Sequence, residues 1–176
     1  MNDNKKRIRL VVYSGITAAL YVVLTMLVSP IAYGPIQFRI SEVLTILPAF
    51  SMGYVPGVSI GCLLANLFNP AGNLGPVDVI GGTLATVIAG IFSRIIGKKY
   101  NKVLAVIPPI VSNGLIVGGY LPFLLLDNSS EITAAVVGIS MLEVAASEAL
   151  LLVVVGIPLI LIINKTPRLK SLIENI

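Results

Sequence analysis

The chain has 176 residues, 56% of them hydrophobic and 11% charged, with a mean hydropathy of +0.99. A soluble domain carries about a quarter charged residues, so this is a membrane protein with room for five or six spans of about 20 residues and no separate soluble domain. No histidine and a single cysteine, Cys62, exclude Ser-His and Cys-His nucleophile systems, histidine zinc or haem sites and an internal disulfide.

A glycine-rich phosphate loop is also missing. Gly97-Lys98 runs into Lys99 with no upstream glycine pattern, so ATP cannot be used by this chain alone. The net charge of +4 does not point to nucleic acid, because the basic residues stand in clusters at the ends of apolar runs.

In chain order, a cluster of Lys5, Lys6, Arg7 and Arg9 precedes a run without charge from Leu10 to Phe38. That run is too long for a signal-peptide core and reads as an uncleaved first span over about residues 10–30. The next uncharged run, Val43 to Val77, is interrupted by Gly53, Pro56 and Gly57 and closed by Pro70, Gly72, Gly75 and Pro76. Two short helices, about 42–54 and 57–69, fit it best. A fourth span is expected over about 78–96, a fifth over 103–126 ending in the polar turn Asp127 to Ser130, and a sixth over 132–163. Together they make one membrane domain, 1–176.

Six spans place both termini on one side, and the charges agree: of the 12 Lys and Arg residues, all but Arg39 fall on the side of the N-terminus. By the positive-inside rule that side is cytoplasmic. The expected fold is an all-α membrane protein, a six-helix bundle with both ends in the cytoplasm. No internal repeat marks an inverted-repeat carrier.

Polar groups kept inside a bilayer are costly and are therefore suspects for function. The sixth span holds Glu143 and Glu148, which lie about 140° apart around the helix axis and do not share a face. Asn66 and Asn113 are neutral amides on the third and fifth spans, for which interhelical hydrogen bonding is as good a reading as ligand contact. Asn113 follows Pro108-Pro109, which should distort the helix start. The external segment Tyr33 to Glu42 includes Gln37, Phe38 and Arg39. Ser41 serves there as a helix cap, but capping leaves Gln37 and Arg39 unexplained. Asp78 opens the fourth span, where N-capping accounts for it. On the first span, Ser14 with Ala18 and Gly15 with Ala19 form two small pairs at spacing four, a pattern that permits close helix approach.

The blocks Gln37-Phe38-Arg39-Ile40-Ser41-Glu42 and Gly61-Cys62-Leu63-Leu64-Ala65-Asn66-Leu67, then Asp78 with Gly82-Thr83-Leu84-Ala85-Thr86, resemble the queuosine-precursor transporter family. These are substrate-binding (S) components of energy-coupling factor (ECF) importers. The resemblance implies a bundle of the S-component type in a prokaryotic plasma membrane. Its pocket, open to the outside, takes a 7-deazaguanine base without any cofactor. It further implies partners: a transmembrane coupling subunit and two cytoplasmic ATPases, with no nucleic acid. In such proteins a small-xxx-small motif on the first helix docks on the coupling subunit, here with the register open between 14/18 and 15/19.

Deazaguanine chemistry fits the candidates. Adjacent N1–H and 2-amino donors suit a carboxylate, for which Glu148 is the first choice. The base carbonyl needs a donor from Asn113, Asn66, Gln37 or Arg39. The ring would stack on Tyr120, Phe38 or Tyr33, and an aminomethyl cation would pair with Glu42, Asp78 or Glu143. The alternatives are an S component for another heterocyclic vitamin, a simple channel, and an intramembrane enzyme using Glu143 and Glu148.

Overall fold

The computed structural model describes residues 3–33, 37–69, 74–126 and 131–174. The polar turn at 127–130, Pro70 and Gly72, and the first half of the segment entering the second helix (34–36) lie outside the described residues. Everything regular among the described residues is helical, as expected where backbone groups must be satisfied without water.

The elements are α1 (Asp3–Leu27), a short turn Ser29–Ala32, α2 (Ile40–Ala49), α3 (Tyr54–Leu67), α4 (Pro76–Lys99), α5 (Lys102–Leu125), α6 (Ala134–Lys165) and α7 (Pro167–Glu174). Among the described residues, α1, α4, α5 and α6 are long and apolar enough to cross a membrane, while α2 and α3 are shorter apolar helices.

Where α2 ends differs from the sequence expectation. It is a 3-10 helix that stops at Ala49, with Pro48 inside it, and the chain turns at Phe50 to Gly53 rather than over Gly53 to Gly57. Pro56 is absorbed into the first turn of α3, where an N–H has no intrahelical partner to lose. The end of α2 is capped from outside: Arg94 of α4 donates through Nη1 to the carbonyls of Ala49 (3.2 Å) and Phe50 (2.7 Å).

Two pairs of glycines at spacing four set the closest helix contacts. A Cβ on Gly57 would lie 2.9 Å from the Ser14 carbonyl oxygen and from Thr17, and one on Gly61 would lie 2.6 Å from the Tyr21 Cβ. Ser14 adds a hydrogen bond to the Gly53 carbonyl (2.9 Å). In the same way a Cβ on Gly114 of α5 would lie 2.8 Å from Ala145 Cβ of α6, and one on Gly118 would lie 2.5 Å from Met141 Cα. Without a hydrophobic drive between helices in lipid, such backbone approach is what holds the bundle.

Both α5 and α6 contain a widened π-helical turn, at Asn113–Val117 and Leu152–Gly156. One carries Asn113 and the other follows Glu148 within one helical turn, a placement common at functional sites. The apolar core divides into clusters. Ile46, Phe50, Leu152, Ile160 and Ile163 fill the end nearest the basic residues, with Leu169 and Ile173 of α7 packed on it. Ala85, Val117, Leu121 and Val144 fill the space between α4, α5 and α6. Buried polar side chains lie between these clusters and the opposite membrane face.

Candidate functional site

Depth along the helices locates the polar layer. Asp78 and Lys98 are separated by about 30 Å of α4, the thickness of the hydrocarbon core. Asp78 therefore lies at the membrane face opposite Lys98, and Glu148, about 25 Å from Lys165, lies a few ångströms inside that face.

Arg39 precedes α2 and is only 5% exposed. Its guanidinium donates through Nε to the Ala32 carbonyl (3.0 Å) and through Nη1 to Asn66 Oδ1 (2.9 Å), and Nη2 lies 3.8 Å from Asp78 Oδ2. Burial acts against the charge on Arg39, but the Asp78 carboxylate more than offsets it and lifts its pKa above the ordinary arginine value. Asp78, 1% exposed, accepts a hydrogen bond from the Tyr120 hydroxyl (2.8 Å). Asn66 joins both sides by donating to the Asp78 carbonyl (3.1 Å). Tyr33 stacks under Arg39, 4.8 Å from guanidinium carbon to ring centroid, and donates to the Ala65 carbonyl (2.6 Å). Burial pushes its phenol up to about 12, so it remains a donor.

Deeper in, Glu42 on the first turn of α2 faces Glu148 on α6 and Asn113 on α5. The Asn113 carboxamide lines the same cavity as both carboxylates. Tyr21 of α1 donates to Glu42 Oε1. These groups, with Gln37, Arg39, Gly82, Val117 and Val144, line one small cavity of about 10 Å³, room for about one water.

Four side-chain atoms around it have no hydrogen-bond partner: the acceptors Glu42 Oε2 and Glu148 Oε1, and the donors Gln37 Nε2 and Arg39 Nη2. Buried polar atoms are nearly always hydrogen-bonded, so two acceptors and two donors without hydrogen bonds on one cavity, Arg39 Nη2 keeping only its ion pair with Asp78, make this the candidate site for a polar guest. Gln37 adds backbone strain, with φ +48, a left-handed conformation that non-glycine residues adopt mainly where surroundings enforce it. Among the described residues no group of three or more His, Cys, Asp or Glu side chains could hold a metal.

The structure thus gathers Gln37, Arg39, Glu42, Asn113 and Glu148 on the cavity, with Asn66, Asp78 and Tyr120 in the network behind Arg39. Phe38 is half-buried and does not line the cavity. Glu143 stands apart: it is exposed on the outer face of α6, beside an apolar groove formed with Leu121, Pro122 and Leu125. The 140° between the two glutamates sends one into the bundle and the other out of it, which separates the acid pair an intramembrane enzyme would need. Ser14 and Ala18 are buried against α3, whereas Gly15 and Ala19 face outward, with nothing within 4 Å of a Cβ on Gly15.

Sequence reasoning gave no site role to Tyr21, nor to Gly61 and Gly82, which it quoted only within the family blocks. A phenol in the middle of an apolar span was the available signal for Tyr21. For Gly82 the signal was the family block Gly82 to Thr86. A Cβ there would lie 2.7 Å from Asn66 Nδ2 and 3.4 Å from the Tyr120 hydroxyl.

These features define a multi-pass helical membrane protein with a cluster of buried polar side chains around one small cavity. The sequence pattern of the QueT transporter family matches residues 11–165, and the chain belongs to that family. Over 80 residues it is 45% identical to the queuosine precursor transporter QueT of Lactococcus lactis subsp. cremoris (strain MG1363). The matched stretch covers 44% of this chain and 45% of that protein, so the chain spans under half the length of the relative. No solved structure matches the chain at a significant level.

Proposed function

We propose that this protein is the substrate-capture subunit of an ECF-type importer in a prokaryotic plasma membrane. It would take a queuosine precursor, a 7-deazaguanine base, from outside and depend on a coupling subunit with two ATPases for uptake. In this reading α1 to α6 are six spans and both termini are cytoplasmic. The 11 basic residues on one side support that topology, and the family membership supports transport of this cargo class.

The carrying observation is the set of four atoms on the cavity that make no hydrogen bond. A 7-deazaguanine brings adjacent N1–H and 2-amino donors and a carbonyl acceptor. Glu148 Oε1 and Glu42 Oε2 would accept the donors, and Gln37 Nε2 or Arg39 Nη2 would serve the carbonyl. A two-ring base exceeds a cavity of about 10 Å³, so the outer wall carrying Gln37 and Arg39 must move to admit it. The strained Gln37 is the natural place for that movement. The coupling subunit would dock on the outward side of α1 at Gly15 and Ala19, since Ser14 and Ala18 are occupied against α3.

The test is equilibrium titration of 7-aminomethyl-7-deazaguanine and of unrelated vitamins into the protein in nanodiscs. Saturable binding of the deazaguanine is expected. Tight binding of another heterocyclic vitamin, with every 7-deazaguanine rejected, would overturn the cargo assignment.

A further inference from the structure

Glu42 has two carboxylate oxygens with different fates. Oε1 receives the hydroxyl of Tyr21, a residue with no exposed surface, and Oε2 is buried, unpaired and on the cavity. We propose that Tyr21 is a positioning residue for cargo recognition: by occupying Oε1 it locks the Glu42 carboxylate plane so that Oε2 points at the guest. This rests on the reading that Glu42 contacts the cargo.

The lock is built from three directions. The Thr25 hydroxyl donates to the Tyr21 carbonyl (2.8 Å) one turn along α1, and the Ser41 hydroxyl lies 2.7 Å from the same Thr25 oxygen. That joins α1 to the residue beside Glu42. On the other side the Tyr21 ring rests against α3 at Gly61, where a Cβ would approach Tyr21 Cβ to 2.6 Å and Cγ to 3.0 Å. The ring cannot swing toward α3, and the hydroxyl is held where it is. A carboxylate that has given one oxygen to a fixed phenol loses its freedom to rotate, and a guest hydrogen bond then costs less ordering.

A double-mutant cycle on the dissociation constant for 7-aminomethyl-7-deazaguanine tests this, with Tyr21→Phe, Glu42→Gln and the pair. Tyr21→Phe is expected to weaken binding about tenfold and Glu42→Gln at least tenfold, with the pair no weaker than Glu42→Gln alone. Wild-type affinity in Tyr21→Phe, or losses that multiply in the pair, overturns the positioning role while Glu42 keeps its place in the site. Wild-type affinity in Glu42→Gln overturns the cargo contact itself and the inference with it. Infrared difference spectra between the wild-type protein and Glu42→Gln isolate the Glu42 carboxyl band. Tyr21→Phe should shift that band even without cargo, and an unshifted band counts against the proposal. Should Tyr21→Phe not fold, Gly61→Ala displaces the ring with the hydroxyl retained and must give the same band shift and weaker binding.

Discussion

Replacing Glu148 by glutamine separates function from stability in an unusual direction. The side chain is 5% exposed, one of its oxygens is unpaired, and Glu42 shares its cavity. Hydrogen bonds to a charged group contribute about 1.5–3 kcal/mol, and each 1.36 kcal/mol is tenfold, so Glu148→Gln should weaken deazaguanine binding by about 10- to 150-fold. The substituted amide also turns a donor toward a guest whose own donors face it. Stability should move the other way. The substitution removes a carboxyl group whose ionisation, buried and beside a second carboxyl, is costly. The assay is calorimetric titration in nanodiscs paired with thermal unfolding of the ligand-free protein. The expected result is a large loss of affinity with an unchanged or raised Tm. Affinity within threefold of wild type removes Glu148 from the site, and a clearly lowered Tm shows that it clasps a neighbouring helix instead.

Other perturbations separate the parts of the site. Asp78→Asn leaves the Arg39 guanidinium buried without its counter-charge and should destabilise by about 3–5 kcal/mol, read from denaturant unfolding; a change below 1 kcal/mol would show that Asn66 and the Ala32 carbonyl hold Arg39 unaided. Gln37→Gly should relieve the left-handed backbone by about 1 kcal/mol while lowering cargo affinity, so a gain in Tm without loss of binding would exclude the Gln37 amide from recognition. Ala19→Leu, on the open side of α1, should leave binding intact and abolish ATP-driven uptake in proteoliposomes with the coupling module. Gly57→Ala, which drives a methyl group to 2.9 Å from Ser14 and Thr17, should lower stability by about 1–3 kcal/mol; the reverse pattern would exchange the two faces of α1.

Much of the site was legible because a bilayer makes polarity informative. Gln37, Arg39, Glu42, Asn113 and Glu148 stood out as polar groups in or beside apolar runs, and the structure places them on one cavity. Glu143 stood out by the same rule and faces outward, since composition carries no direction around a helix. Tyr21 and Gly82 were given no role: aromatic residues and glycine are ordinary in membrane spans, and what they do depends on what packs against them. The turn between α2 and α3 was misplaced because Pro56 reads as a helix breaker along the chain, yet costs nothing in a first turn.

Composition and hydropathy were enough to determine an all-helical membrane protein, since apolar segments in lipid have few other ways to satisfy their backbone. Which carboxylate enters the bundle, which side of α1 is free and which oxygen of Glu42 is committed were decided only when glycines 57, 61, 114 and 118 let the helices close to backbone contact. That closure sets helix rotation, and rotation is a property of pairs of helices rather than of any one segment.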